Sequence, residues 1–363
     1  MKKIAFFVTS LNAGGIENYL LRFLKYSEGE ILPIVVCKSN QYGDLLGDYQ
    51  QIKNIKLLKV GGGFFNIKQF INIYQLLSSD KIHAICDFTG NFAGIPLFIA
   101  KLVGVKKRIA FYRGATNRFK EDKIRLYYNS MVKKLVMDNA DYILSNSKSA
   151  LNFFFHDRSV DDKRYQVISN GIDSAKFCEG TGNLRNELSI PDESFVIGHV
   201  GRFDNAKNHQ TIIQVIKRLS TYDSNIYFVL CGKGVDENLG EIIKESKFGN
   251  QVKLLGYRSD VNKVLKTLNA FYFPSLTEGQ PNALIEAMVI GLPFVASNIN
   301  PILETVPYSL HKQLVAPKDV DGAVSKLLDI YQSDNRSRYT CADWAKEKYS
   351  AHNCFSLFME KLK

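Results

Sequence analysis

The stretch 277-TEGQPNALIEAMVIGLPFVAS-297 contains the start, the body and the end of a helix, followed by a strand. Pro281 suits a first helical turn, because its missing N–H has no partner there, and Gly291 ends the helix. Every side chain from Ala283 to Ile290 is apolar except that of Glu286. A helix that is apolar on all sides is normally buried. The sequence therefore predicts a buried carboxylate at Glu286, which must receive hydrogen bonds.

Two kinds of partner would satisfy the carboxylate of Glu286. An internal Lys or Arg is one, because buried charges are usually paired. A bound vicinal diol, such as the two hydroxyls of a ribose, is the other, because it supplies two O–H donors at carboxylate spacing. The residues of this stretch leave both partners open.

Outside this stretch, apolar β-type runs alternate with helical patterns almost from end to end. One series of strands lies between residues 4 and 168, and a second lies between residues 195 and 296. This alternation is typical of parallel sheets covered by helices on both faces. We predict an α/β chain with two doubly wound, Rossmann-like domains at residues 1–178 and 179–341. Residues 342–363 form a helical tail that we expect to pack back toward the first domain.

The composition is that of a globular protein, with 363 residues of which 45% are hydrophobic and 23% charged. The six cysteines form no CxxC pair and the six histidines no ligand spacing, so we expect reduced thiols in a cytosolic protein and no metal site. The longest apolar segment, residues 93–105, falls short of the roughly 20 residues that span a bilayer. The apolar run near the N terminus is likewise too short for a secretion signal.

The net charge of +11 is unevenly distributed along the chain. Residues 1–185 contain 27 Lys and Arg against 16 Asp and Glu, while residues 186–363 contain 20 of each. The first half therefore carries the whole excess. An excess of this kind favours an anionic partner, either a membrane surface or a nucleic acid.

Four strand-to-helix turns have residues suited to a ligand, because doubly wound sheets bind ligands at the carboxyl ends of their strands. Gly15 follows the first strand and would permit close backbone approach to a phosphate. Arg202 and Lys207 lie five residues apart on one loop and can converge on a diphosphate. Arg258 follows the third strand of the second series, and Glu278 lies in the stretch quoted above. Tight turns and solvated charges would explain the first three turns equally well.

At these residues the chain resembles the family 4 glycosyltransferases of the GT-B fold. The segment FPSLTEGQPNALIEAMVIGLPFV contains the family's two glutamates seven residues apart, and GGIEN, SNGID, GRFDNAKN and GYRSDV extend the likeness over nearly the whole chain. The sequence looks most like the enzymes of capsule and exopolysaccharide assembly. The resemblance implies two Rossmann-like domains with a cleft between them, and a metal-independent transfer that retains the anomeric configuration and requires no cofactor.

The resemblance also implies roles for individual residues. Glu286 would hold the ribose of a nucleotide sugar, and Glu278 would hold the donor sugar. Catalysis would depend on Glu278, Arg202 and Lys207, the two cations neutralising the leaving diphosphate. The donor site would comprise the following set: Gly15, Arg202, Lys207, Arg258, Glu278, Gly279, Gln280, Asn282 and Glu286.

One position departs from the family pattern. Many relatives have a His after the strand that corresponds to residues 107–111 here. At that place this chain reads FYRGATN, with Arg113 and no His. We hypothesise that Arg113 contacts an anionic donor sugar or an acceptor phosphate instead.

The leading functional hypothesis is transfer of a sugar from a nucleotide diphosphate sugar to a lipid-linked oligosaccharide. A UDP-sugar is the expected donor, because UDP-sugars are the commonest donors in the family that the chain resembles. The enzyme would work in the cytoplasm, peripheral to the inner face of the membrane, with its basic half against the anionic lipid. A nucleotide-sugar epimerase of the same fold is the alternative enzyme. A nucleic-acid binder is disfavoured, because the basic residues are dispersed and lack aromatic stacking motifs. A dinucleotide-dependent oxidoreductase is disfavoured by the missing GxGxxG.

Overall fold

The computed structural model describes residues 1–39, 41–61, 67–79, 81–114, 123–180 and 182–363. Within these residues, every strand belongs to one of two parallel sheets, with seven and six strands. The α/β class and the two doubly wound sheets are therefore confirmed. The two predicted series of strands, at residues 4–168 and 195–296, correspond to strands at residues 2–167 and 195–297.

The first sheet has the strand order β3-β2-β1-β4-β5-β6-β7. Its central strands are continuous apolar runs, as expected when helices cover both faces of a parallel sheet. The strands are β1 Lys2–Val8, β2 Ile31–Cys37, β3 Lys56–Lys59, β4 Ala84–Asp87, β5 Lys107–Tyr112, β6 Tyr142–Ser145 and β7 Tyr165–Val167. The helices between them are α1 Gly15–Tyr26, α2 Leu46–Gln50, α3 Ile67–Ser79, α4 Gly94–Leu102, α5 Lys123–Asn139 and α6 Lys148–Phe154, with a 3-10 helix at Gly90–Ala93.

The second sheet has the order β10-β9-β8-β11-β12-β13. Its strands are β8 Phe195–Val200, β9 Ile226–Cys231, β10 Val252–Leu255, β11 Ala270–Phe273, β12 Phe294–Ser297 and β13 Leu314–Val315. The sequence analysis did not predict β13, because two residues are too short to show a periodic pattern. The helices of this part are α7 Ser174–Cys178, α8 His209–Tyr222, α9 Val235–Lys244, α10 Val261–Thr267, α11 Asn282–Ile290, α12 Asn300–Thr305, α13 Val320–Tyr331 and α14 Ala342–Lys348, with short 3-10 helices at Asn205–Lys207, Gly249–Gln251, Tyr308–Gln313 and Arg336–Tyr339.

The contacts divide the chain into one unit of residues 1–171 and 352–363 and another of residues 172–351. The first unit therefore ends several residues before the predicted boundary at 178. The physical reason is the pairing of Ile172, whose N–H donates to Tyr349 O over 2.8 Å and whose carbonyl accepts from Ala351 N over 3.0 Å. Cys178, a few residues further on, packs against the core of the second unit.

The predicted tail of residues 342–363 also divides between the two units. Helix α14 belongs to the second unit, where Ala345 is buried and Trp344 packs against the core. Helix α15, Ala351–Leu362, belongs to the first unit from its second residue onward. Its Phe358 lies 4.6 Å from Phe23 between ring centroids, which places it in an aromatic cluster with α1.

Two further observations concern whole classes of residue. All six cysteines are free thiols. Among the described residues, no helix combines the length and the hydropathy that crossing a bilayer requires, and no group of three or more His, Cys, Asp or Glu side chains has an arrangement suited to a metal ion.

Candidate functional site

The chain reverses its path across the second sheet between β8 and β11. Strand β8 pairs with β9 on one side and with β11 on the other, and all these pairs are parallel. In open α/β sheets, ligands bind outside the carboxyl ends of the strands at such a reversal. The loops that leave β8 and β11 contain Arg202, Lys207 and Glu278. The topology therefore brings these three predicted residues to the same edge of the sheet.

Lys207 and Glu278 form an ion pair at this edge. The Lys207 Nζ lies 2.5 Å from Glu278 Oε1, and the two side chains are only 19% and 10% exposed. The ammonium group also lies 5.0 Å from the centre of the Phe273 ring, within range of a cation–π interaction. The sequence predicts separate roles for the two residues and does not predict their contact.

Backbone and side-chain hydrogen bonds fix the two loops to each other. Leu276 N donates to Ala206 O over 2.8 Å, and the Asn208 amide donates to Pro274 O over 3.0 Å. Asn208 has the left-handed backbone conformation (φ 57°), which Asn tolerates better than most residues and which ends the 3-10 helix Asn205–Lys207. Lys207 is therefore held next to the second loop by the backbone as well as by its own charge.

A glycine is required beneath the ion pair. A Cβ atom on Gly201 would lie 2.9 Å from His199 Nε2 and 3.3 Å from the Cγ and Cδ atoms of Lys207. A side chain at position 201 would thus collide with the His199 ring, and the Lys207 side chain would have to shift by a few tenths of an ångström.

Two neutral histidines support this site from the sheet side. His199, in β8, is buried, with Nδ1 3.0 Å from Tyr272 O, and its ring lies 5.2 Å from that of His209 at the start of α8. Burial lowers the pKa of His199 to about 3 and that of His209 to about 4. Both rings are therefore uncharged at neutral pH and add no repulsion toward Lys207.

Helix α11 begins and ends where the sequence predicts, but Glu286 is not buried. Pro281 supplies no side-chain cap, so the backbone N–H groups of the first turn are not capped by it. Glu286 is half-buried and already interacts with other parts of the chain. Its neighbours on the helix surface, Ala283 and Ile290, are also half-buried, whereas Leu284 and the other core-facing residues are buried. One face of the helix thus reaches solvent, and the prediction of a buried carboxylate was wrong.

Comparisons with known proteins agree with this geometry. Residues 181–349 match the family model for glycosyl transferases group 1. The second unit of the chain thus matches the group 1 glycosyl transferases, and the two sheets have the GT-B fold. The structure of Anabaena Alr3699/HepE in complex with UDP and glucose superposes on this chain with a TM-score of 0.82 at 18% identity, and the superposition covers 100% of this chain and 99% of that one.

Two curated proteins are similar to this chain in sequence. EpsF of Bacillus subtilis, named as a glycosyltransferase, is 28% identical over 226 residues, which are 60% of this chain and 57% of the relative. The UDP-Gal:alpha-D-GlcNAc-diphosphoundecaprenol alpha-1,3-galactosyltransferase of Escherichia coli is 26% identical over 294 residues, 77% of this chain and 72% of the relative. The match to EpsF thus covers little more than half of that protein.

Two other predicted site residues of the second unit are held by carboxylates. Arg202 is 67% exposed and lies 3.4 Å from Asp204. Arg258 donates from Nη1 to Glu187 over 2.6 Å, and from Nε and Nη2 to the two oxygens of Asp260 over 2.8 and 3.0 Å. These bonds raise the pKa of Arg258 above its ordinary value and lower that of Asp260. A contact between Arg258 and a nucleotide base stays a prediction.

Four residues predicted for the donor site lie at the starts of α11 and α1. Gln280 is buried, while Gly279 and Asn282 are half-buried. Gly15 is the first residue of α1, and the N-cap Gly14 offers no side-chain oxygen. Their roles in holding a donor stay predictions.

Arg113, in the first unit, lies just after β5. Its guanidinium carbon is 3.6 Å from the centre of the Tyr19 ring, and its Nη2 donates to Asn170 Oδ1. Nη1 is buried and has no hydrogen-bond partner among the described residues. No carboxylate of the described residues forms an ion pair with the guanidinium. Burial lowers the pKa of Arg113 to about 10, so the residue remains charged at neutral pH.

A second buried ion pair was missed in the sequence. Lys38, after β2, places Nζ 2.7 Å from Asp87 Oδ2 at the end of β4, and the two side chains are 12% and 0% exposed. Asp87 Oδ1 accepts from Thr89 N and Oγ over 2.8 and 2.6 Å. β2 and β4 flank β1, so the pair lies at the point where the first sheet reverses. A charged residue at the end of each of two apolar strands was the signal that could have revealed it.

Proposed function

We propose that this glycosyltransferase moves a sugar from a nucleotide diphosphate sugar, a UDP-sugar, to a lipid-linked oligosaccharide in the assembly of a cell-surface polysaccharide. The transfer retains the anomeric configuration, proceeds as in family 4 and requires no metal. The galactosyltransferase relative names both a UDP donor and a diphosphoundecaprenol acceptor, and the HepE structure holds UDP and glucose. Such an acceptor would place the enzyme at the inner, cytoplasmic face of the membrane.

The observation that carries the proposal is the Lys207–Glu278 pair at the reversal between β8 and β11. A cation fixed in a partly buried site can stabilise the negative charge that develops on a departing diphosphate. Arg202, exposed on the same loop, can add its guanidinium to the same group. Glu278, freed from Lys207 when the diphosphate takes its place, can accept hydrogen bonds from hydroxyls of the donor sugar.

The bonds change as follows in the proposed transfer. The bond between the anomeric carbon and the diphosphate oxygen breaks, and an acceptor hydroxyl oxygen bonds to that carbon from the same face. The hydroxyl proton passes to the leaving diphosphate, so the products are a glycosidic bond and a nucleoside diphosphate. Lys207 and Arg202 lower the barrier by stabilising the diphosphate, and no carboxylate is required as a base.

Glu286 and Arg113 complete the proposed set of contacts. Glu286 lies on the partly exposed face of α11, where it can accept hydrogen bonds from two ribose hydroxyls. Arg113 would supply its unfilled Nη1 to an anionic group, a phosphate of the acceptor or a carboxylate of the sugar.

The function is tested by substituting Lys207. We expect Lys207→Ala to lower the rate of transfer by about 10²- to 10³-fold, the usual effect of losing one group that stabilises developing charge. Transfer is measured as nucleoside diphosphate released in the presence of a diphosphoundecaprenol-linked saccharide. Lys217→Ala, which removes an exposed lysine of the same unit, is the matched control and should leave the rate unchanged.

Two results would contradict the proposal. If no nucleotide sugar raised the melting temperature of the wild-type protein, the donor site itself would be absent, because saturating ligand stabilises by a few kcal/mol. If the protein released an altered nucleotide sugar with no acceptor present, it would be an epimerase.

A further inference from the structure

Helix α3 has two apolar stripes instead of one. Ile73, Leu76 and Leu77 are buried against the sheet. Ile67, Phe70, Ile71 and Tyr74 follow the spacing i, i+3, i+4, i+7 and are 76%, 38%, 47% and 47% exposed. A helix at the surface of a globular protein normally has polar residues on its outer side. The described residues of this chain therefore leave the outer stripe largely uncovered.

Helices α4 and α5 also expose apolar side chains. On α5, Ile124, Tyr127 and Met131 are 81%, 77% and 43% exposed, while Val132 and other residues of the opposite side are buried. On α4, Phe98 and Leu102 are one turn apart, and Leu102 is 60% exposed. Helix α4 contacts both α3 and α5. The three outer stripes thus belong to neighbouring helices, and we call this surface the α3–α5 face.

The same three helices are strongly basic. Their sequences contain six Lys and Arg residues and a single acidic residue, Asp138. Lys123, Arg125 and Lys134 are exposed on α5, Lys68 on α3 and Lys101 on α4. Basic residues next to exposed Ile, Phe and Tyr side chains are typical of protein surfaces that lie in the interface of an anionic membrane.

We propose that the α3–α5 face binds an anionic lipid bilayer, inserting its apolar side chains between headgroups while the Lys and Arg side chains pair with lipid phosphates. A second copy of the chain is a poorer occupant. A two-fold dimer would place this face on itself and bring like charges together, which is unfavourable. A nucleic acid would leave the Ile and Phe side chains unused.

This inference deepens the proposed function, because it names the surface that would bring the enzyme to a lipid-linked acceptor. It can nevertheless be tested without any substrate. The sites of the second unit that hold the donor contribute no residue to the α3–α5 face. Loss of lipid binding and loss of transfer chemistry are therefore separable.

The test is sedimentation with vesicles of phosphatidylcholine, with and without about 30% phosphatidylglycerol. The apolar variant Ile71→Ser/Ile124→Ser/Tyr127→Ser and the charge variant Lys123→Glu/Lys134→Glu are compared with the wild type. We expect binding to the anionic vesicles alone, and a loss of about tenfold or more in each variant, since each cation near the surface contributes about fivefold. Circular dichroism should be unchanged, because exposed substitutions alter stability little.

Matched controls come from the second unit. Tyr222→Ser/Ile242→Ser/Tyr308→Ser removes side chains that are 55%, 53% and 87% exposed, and Lys217→Glu/Lys244→Glu reverses two exposed lysines. These controls should bind vesicles as the wild type does. A further readout is transfer to an acceptor shortened to a water-soluble saccharide diphosphate. The α3–α5 variants should keep this rate while their rate on vesicle-embedded acceptor falls.

Three outcomes would overturn the inference. One is equal vesicle binding by the apolar variant and the wild type. Another is an equal loss in the second-unit controls. The third is a dimer in sedimentation velocity that dissociates in the α3–α5 variants, which would make this face a contact between copies.

Discussion

At the scale of single residues, Arg113 has the least complete set of partners. Its guanidinium is stacked on Tyr19 and bonded to Asn170, yet Nη1 is buried with no hydrogen-bond partner among the described residues. Arg108 lies in β5, the strand that ends just before Arg113, and shows the opposite case. It donates to Asp141 over 2.6 Å, to Asn139 O over 2.7 Å and to Val105 O over 2.8 Å, so its charge is compensated within the fold.

This contrast predicts opposite effects for the same substitution. Arg113→Met should raise the KM for an anionic substrate by about 10- to 100-fold, because hydrogen bonds to charged groups contribute about 1.5–3 kcal/mol. Its unfolding free energy, measured in urea, should stay equal or rise, because the variant removes an uncompensated buried charge. Arg108→Met should lower the unfolding free energy and leave KM unchanged. A destabilised Arg113→Met protein with unchanged KM would show that Arg113 is structural.

The residue scale also shows what the sequence could not reveal about Glu286 and Glu278. Spacing identified both carboxylates, but Glu286 lies on the helix face that reaches solvent. Glu278 lies within 2.5 Å of Lys207, a residue 71 positions earlier in the chain. Sequence patterns describe local periodicity, whereas this contact depends on which strands become neighbours in the sheet.

At the scale of elements, the junction of β8 and α8 couples stability to pH. His199 and His209 are buried and neutral in the folded state, whereas in the unfolded chain each has the ordinary histidine pKa near 6.5. Between the folded and the unfolded pKa values, the unfolded chain binds more protons than the folded one. The contribution is thus complete above about pH 6.5, and stability is lost as the pH falls from there toward about 4.

We expect His199→Gln to make the unfolding free energy less dependent on pH. Each histidine should contribute a slope of about 1.4 kcal/mol per pH unit once its unfolded form is fully protonated. The measurement is urea unfolding at a series of pH values between about 4 and 6.5. His156→Gln removes a histidine whose side chain is 70% exposed and should leave the slope unchanged. Equal slopes in the wild type and His199→Gln would refute the expectation.

At the scale of the whole molecule, the last helix of the chain belongs to its first unit. Phe358 of α15 contacts the rings of Phe23, Phe111 and Tyr19, with centroids 4.6, 5.2 and 6.2 Å apart. Residues 352–363 therefore complete the core of a unit whose other residues all lie before position 172. Removing them would expose aromatic side chains of α1 and β5.

We expect Phe358→Ala to cost about 3–5 kcal/mol of stability in the first unit, the usual effect of emptying a buried aromatic site. Leu357→Ala, whose side chain is 48% exposed, should cost less than about 0.5 kcal/mol. The single tryptophan, Trp344, lies in the second unit, so far-UV circular dichroism should show earlier unfolding in Phe358→Ala that tryptophan fluorescence does not follow. Coincident, unshifted transitions would contradict this prediction.

The sequence by itself determined the α/β class, the two parallel sheets and the bounds of α11, because these follow from local hydrophobic period, capping residues and turn signals. It also located the charged loops after β8 and β11. Only the tertiary structure decided that Lys207 pairs with Glu278, that the first unit ends at residue 171 and takes α15, and that α4 packs against both α3 and α5. Each of these depends on contacts between residues far apart in the chain, and local patterns of side chains do not predict such contacts.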